Sequence, residues 1–145
     1  MSRTTRLVPL AVAVMSAAAL AVPVTATAGG RPHHAHLTGA AEVAPADPDG
    51  AGTADIWVNV GQSEICFHLS VSNLDPVIGA HIHSAPAGLN GPIVVPLAAP
   101  VTGESSGCVD VAPDLAKAIS KSPSVFYVNV HTTIYPAGAI RGQLG

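Results

Sequence analysis

The chain has 145 residues, a formal net charge of −3, a hydrophobic share of 48% and only 10% charged side chains. Arg31, Lys117, Lys121 and Arg141 are the basic residues beyond the N-terminal segment, too scattered for the footprint that nucleic acid requires. Anionic membrane surfaces are disfavoured for the same reason, and the length suits one domain with one core.

At the N-terminus, Arg3 and Arg6 precede an apolar run from Leu7 to Val24, and Ala26-Thr27-Ala28 supplies the small residues of a cleavage site. That is the pattern of a secretory signal peptide over residues 1–28. Pro9, Pro23 and the abundant alanine argue against a retained membrane helix, and no later run is long enough to span. No cysteine lies near the cleavage site, so no lipid anchor is expected. Four basic and nine acidic residues then remain, a formal charge of −5 with His neutral. The expected location is extracellular, or periplasmic in a double-membrane bacterium. Cys66 and Cys108 are expected to pair in such an oxidising compartment. The loop they close, about 43 residues, makes the bond worth about 4 kcal/mol in loop-closure entropy.

Residues 29–35 read as a flexible tail, with a domain over 36–145. His33, His34 and His36 form a histidine cluster that is either a loose trap for copper, zinc or nickel or plain tail. Pro32 has no N–H, which argues against tight chelation by backbone amides there.

Short alternating segments follow, divided by Gly, Pro and Asp. His36 to Val43 predicts a first strand, stopped by the run from Ala44 to Gly50. Ala54, Ile56, Val58 and Val60 form one apolar face, and Ile65, Phe67, Leu69 and Val71 another, joined by Gly61-Gln62 as a hairpin. Cys66 and His68 point away from that face. Val77 to His83 is a further strand, Ser84 to Pro92 a loop, and Ile93 to Leu97 an apolar strand. Cys108 to Val111 alternates again. Asp114 to Lys121 is the one helix, with Leu115, Ala118 and Ile119 on its apolar side and Ser122-Pro123 ending it. Phe126, Val128 and Val130 alternate with Tyr127, Asn129 and His131, and Ile140 to Leu144 closes the chain. Seven or eight strands with frequent turns predict an all-β antiparallel sandwich or barrel with one short helix.

Ala80 and Ile82 take the apolar side of their strand, which sends His81 and His83 to the other. Their Cα atoms are about 6.6 Å apart, and a neighbouring strand about 4.8 Å away would bring His131 to the same point. Three imidazoles around one position suit copper or zinc. The alternative is a polar network that stabilises the sheet. Arg141 has two readings: an anion-steering charge beside such a metal, or a surface arginine hydrogen-bonded to turn carbonyls. Tyr135 and His68 are candidates for a further neighbour of the site, with turn packing and simple surface exposure as the alternatives. Asp47 and Asp49 are explained by a turn. No nucleophile elbow, phosphate loop, dinucleotide fingerprint or His-Glu-x-x-His helix is present.

Gly79-Ala80-His81-Ile82-His83, Asn90-Gly91-Pro92-Ile93-Val94-Val95, Tyr127-Val128-Asn129-Val130-His131-Thr132 and the stretch from Pro136 to Leu144 together resemble a CHRD domain. Leu37 to Val43 and Gly52-Thr53-Ala54 match as well, so the resemblance covers nearly all of the chain after residue 28. It implies an immunoglobulin-like β-sandwich and little about activity. The histidine layout is also similar to the copper site of copper-zinc superoxide dismutase, with His81, His83 and His131 at matching positions. No histidine follows in the loop Ser84 to Pro92 to bridge to zinc, so the similarity implies a mononuclear copper site.

The leading expectation is a secreted binding module with a mononuclear copper or zinc site, its protein partner unidentified. A copper-only enzyme acting on superoxide is the second reading. A metal-free adhesion module, using Ile93 to Val101 as an interaction edge, is the third.

Overall fold

Period-two alternation of apolar side chains builds eight strands: β1 (Arg31–Thr38), β2 (Ala51–Asn59), β3 (Glu64–Ser72), β4 (Val77–Ser84), β5 (Ile93–Leu97), β6 (Glu104–Asp110), β7 (Phe126–Thr132) and β8 (Ile140–Gln143). The structure is a computed structural model that describes residues 29–74 and 76–145. The expected signal peptide, residues 1–28, lies outside the described residues.

All eight strands join one antiparallel sheet in the order β5-β4-β7-β8-β1-β2-β3-β6. The edge strands β5 and β6 touch, so the sheet curls into an all-β, sandwich-like barrel that nearly closes. Its interior holds Leu37, Ile56, Val58, Ile65, Leu69, Ile82, Val95, Val128, Ile140 and Leu144, all at most 2% exposed. Aliphatic β-branched and leucine side chains fill this core, where each buried side chain contributes about 1.5–3 kcal/mol.

Helix α1 (Pro113–Lys121) has proline in its first turn, where no N–H is missed, and Asp114 beside the positive end of its dipole. It packs on β2 through Ala116 and Ile119 with Leu115 half-buried, whereas Ala118, expected on that side, is exposed.

β1 begins at Arg31, earlier than the alternation from His36 predicts, so residues 31–35 are sheet and not tail. Its full register with β2, from Arg31↔Val58 to Thr38↔Ala51, is the reason: pairing supplies backbone bonds that the local sequence does not advertise. The histidine cluster is thereby split. His33 turns inward at 2% exposure, while His34 and His36 stay outside. Val60 falls beyond the end of β2 and is 37% exposed. β5 is an edge strand whose Val95 and Leu97 are buried while Ile93 is exposed.

Cys66 and Cys108 stand opposite each other on β3 and β6 and form a disulfide, tying the edge strand to the sheet.

Candidate metal centre

β4 and β7 are antiparallel neighbours in the register His81↔Asn129 and Gly79↔His131. Because Ala80, Ile82, Val128 and Val130 fill the core, His81, His83 and His131 must share the outer face. The structure brings these three together: one nitrogen of each lies within 4.8 Å of one from both others. His81 Nδ1 and His131 Nε2 are 3.0 Å apart. Ligand nitrogens on one zinc- or copper-sized ion sit about 3.3 Å apart, given bonds of about 2.0–2.1 Å. The triangle is therefore within about 1.5 Å of coordination geometry on its longest side.

The far nitrogens of two rings are anchored. His83 Nδ1 donates to the Gly91 carbonyl (2.9 Å) and His131 Nδ1 donates to the Pro136 carbonyl (3.0 Å). A carbonyl only accepts, so both protons sit on Nδ1 and both Nε2 atoms are unprotonated, that of His131 accepting from His81 Nδ1. Metal-binding histidines use this same outer anchoring to fix tautomer and ring plane. His83 Nε2 is buried and has no hydrogen-bond partner among the described residues.

The electrostatics keep these rings neutral. Burial pushes the His81 pKa below its ordinary value, and His131 and His83 add to the effect. Burial also lowers His83 and His131, opposed in each by the carbonyl bond just described and reinforced by Arg141 and His83 respectively. Neutral imidazole is the form that binds metal.

A second layer holds the loop Ser84 to Pro92 against the outer face. His83 stacks on Tyr127 with ring centroids 4.8 Å apart, and the Tyr127 hydroxyl accepts from Gly91 N–H. The Arg141 guanidinium lies 3.3 Å from the Tyr127 ring centroid. It donates to the carbonyls of Leu89 (2.9 Å) and Pro86 (3.1 Å) and, at 3.4 Å, to Asn90 and Gln143 side chains. Gln143 in turn donates to the Ala85 and Ser124 carbonyls. Arg141 is 1% exposed, so it takes the turn-carbonyl role among the two weighed for it, inside the molecule and not at its surface. A Cβ on Gly91 would collide with the Ser84 carbonyl, which explains glycine where the loop returns.

Below the histidines, Asn129 donates to Glu42, whose pKa is raised by burial against the opposing influence of Arg141 and Asn129. Gly138, at φ +147°, lets the chain pass that pair without a side chain. Glu42 and Tyr127 are the contributors that sequence reasoning missed. Alternation on a face expected to meet water gave no sign that a loop covers them.

Of the two candidate neighbours, His68 lies elsewhere and Tyr135 belongs to the turn that follows His131. His68 is on β3, with Nδ1 3.9 Å from Asp55. Tyr135 belongs to a turn, its amide donating to Thr132 Oγ1 and its carbonyl accepting from Gly138. Asp47 accepts from the amides of Asp49 and Gly50, the turn expected for that acidic pair. Among the described residues, no helix is long and apolar enough to cross a membrane.

Residues 33–144 match the family described as CHRD domain. No curated protein and no solved structure matches the chain. With more than three-quarters of its length inside that match and the expected all-β architecture present, the chain belongs to the CHRD domain family.

Proposed function

We propose that this protein is a secreted binding module that holds one copper or zinc ion between His81, His83 and His131. The observation that carries the reading is His83 Nε2, a buried lone pair without a partner, in a triangle where the rings of His83 and His131 are anchored through Nδ1 and burial favours the neutral form of all three. A ring nitrogen desolvated in this way costs about 1–3 kcal/mol unless something binds it. An all-imidazole donor set accepts either metal, and the general affinity order places Cu(II) above Zn(II). The Cys66–Cys108 disulfide supports an oxidising compartment, consistent with export.

The test is titration of tag-free protein with Cu(II). One equivalent should bind in a manner lost in His81→Ala and in His131→Ala. Unchanged affinity in both variants would overturn the proposal.

A copper-dependent enzyme that removes superoxide is the second reading, favoured by the partial exposure of His81 and His131, which leaves a side of the triangle open to solvent. It predicts superoxide removal beyond that of free copper, and activity equal to free copper rejects it.

A further inference from the structure

The outer face of the opposite half of the sheet carries a second constellation. Strand register places His34, Asp55 and His68 in one row across β1, β2 and β3 (His34↔Asp55 and Asp55↔His68). Alternation directs all three outward, because Ala35, Ala54, Ile56, Phe67 and Leu69 face the core. Asp55 stands between the imidazoles: Oδ1 is 2.6 Å from His34 Nδ1, and Oδ2 is 3.9 Å from His68 Nδ1.

We infer that His34, Asp55 and His68 form a surface site for a divalent transition-metal ion, of which zinc is the best fit. Nitrogen and oxygen ligands on one tetrahedral zinc ion are about 3.3 Å apart, from bonds of about 2.0–2.2 Å. The two observed separations straddle that value, one shorter by about 0.7 Å and one longer by about 0.6 Å. An ion entering between the rings takes the place of the proton shared by His34 and Asp55, and His68 turns inward to meet it. The side chains are 67%, 35% and 42% exposed for His34, Asp55 and His68, so these movements meet solvent and not packed neighbours. The backbone register places the three residues in one row, and His34 and His68, whose strands flank that of Asp55, must both rotate toward the ion, because the three ligand atoms are not mutually within the 4.8 Å spanned by His81, His83 and His131. Two imidazoles and one carboxylate are a borderline donor set that suits zinc, whereas calcium and magnesium ask for more oxygen ligands. Water completes the coordination.

This site is independent of the histidines on β4 and β7. It lies at the other side of the sheet order, with β8 between β7 and β1.

The test is calorimetric titration of tag-free protein with zinc chloride, comparing the parent with His34→Ala, Asp55→Asn, His68→Ala and His81→Ala. Each of the first three should bind one equivalent fewer than the parent, or bind that equivalent about a hundredfold more weakly, at least the cost of losing an outer-shell partner. His81→Ala should keep this equivalent. Calcium at millimolar concentration should not displace it. Melting curves without metal check that the exposed substitutions leave the fold intact. Parent-like stoichiometry and affinity in both His34→Ala and His68→Ala would overturn the inference. Loss of zinc in His81→Ala alone would leave only the β4–β7 site standing.

Discussion

Replacing Arg141 tests how the wall of the candidate centre is held. Arg141→Met keeps an unbranched apolar stem while removing the guanidinium that lies on Tyr127 and donates to the Leu89 and Pro86 carbonyls. A hydrogen bond from a charged donor contributes about 1.5–3 kcal/mol, and a desolvated cation over an aromatic ring about 2 kcal/mol. The desolvation of the buried guanidinium offsets part of that sum. Removing the cation also withdraws the charge that opposes the upward pKa shift of half-buried Glu42. The expected net loss is about 3 kcal/mol, which for a domain of this size lowers Tm by about 12 °C. Copper affinity should fall about 10–100-fold, because the freed loop no longer fixes Gly91 against His83 Nδ1. Arg141→Lys should lose nearly as much stability, since an ammonium offers no planar fork and stacks poorly. Urea unfolding of the metal-free protein and copper titration give both numbers. If both variants fall within about 0.5 kcal/mol of the parent, the structural role assigned to Arg141 is wrong.

Three further outcomes are expected. His33 is enclosed by the core with its pKa lowered by burial, and Arg31 and His34 reinforce the shift. The unfolded chain therefore takes up a proton near pH 6.5 that the folded chain refuses, so stability falls as pH drops through about 6.5 and levels off below the folded value. His33→Leu should flatten part of that slope in pH-dependent urea unfolding, and an unchanged slope would contradict the assignment. His81, His83 and His131 carry shifts of the same sign, and bound metal, which holds these rings unprotonated in the folded state, should extend the loss of stability to lower pH. Replacing both cysteines, Cys66→Ser with Cys108→Ser, should cost about 2–4 kcal/mol in the same assay while leaving copper affinity intact, because the bond joins β3 to β6 and not the strands of the site.

Much of this architecture was legible from alternation. Ala80 and Ile82 entering the core forces His81 and His83 outward, and the same logic on Val128 and Val130 places His131. Adjacency of β4 and β7 was not contained in either segment: they are separated in sequence by β5, β6 and α1, and only the sheet order joins them. The start of β1 was missed because Pro32 and three histidines look like tail, whereas pairing with β2 stabilises them as strand. The role of Arg141 was half legible. Its polar face was evident, but the loop Ser84 to Pro92 folds over that face and turns surface into interior. Ala118 misled because alanine fits either side of a helix, so periodicity alone did not exclude it from the buried stripe.

The most direct measurement is the electron paramagnetic resonance spectrum of the protein carrying one equivalent of Cu(II). Coordination by His81, His83 and His131 should give nitrogen hyperfine structure from three imidazoles, reduced to two or dispersed in His131→Ala. A parent spectrum matching copper on a single exposed histidine, unaltered by His131→Ala, would contradict the account.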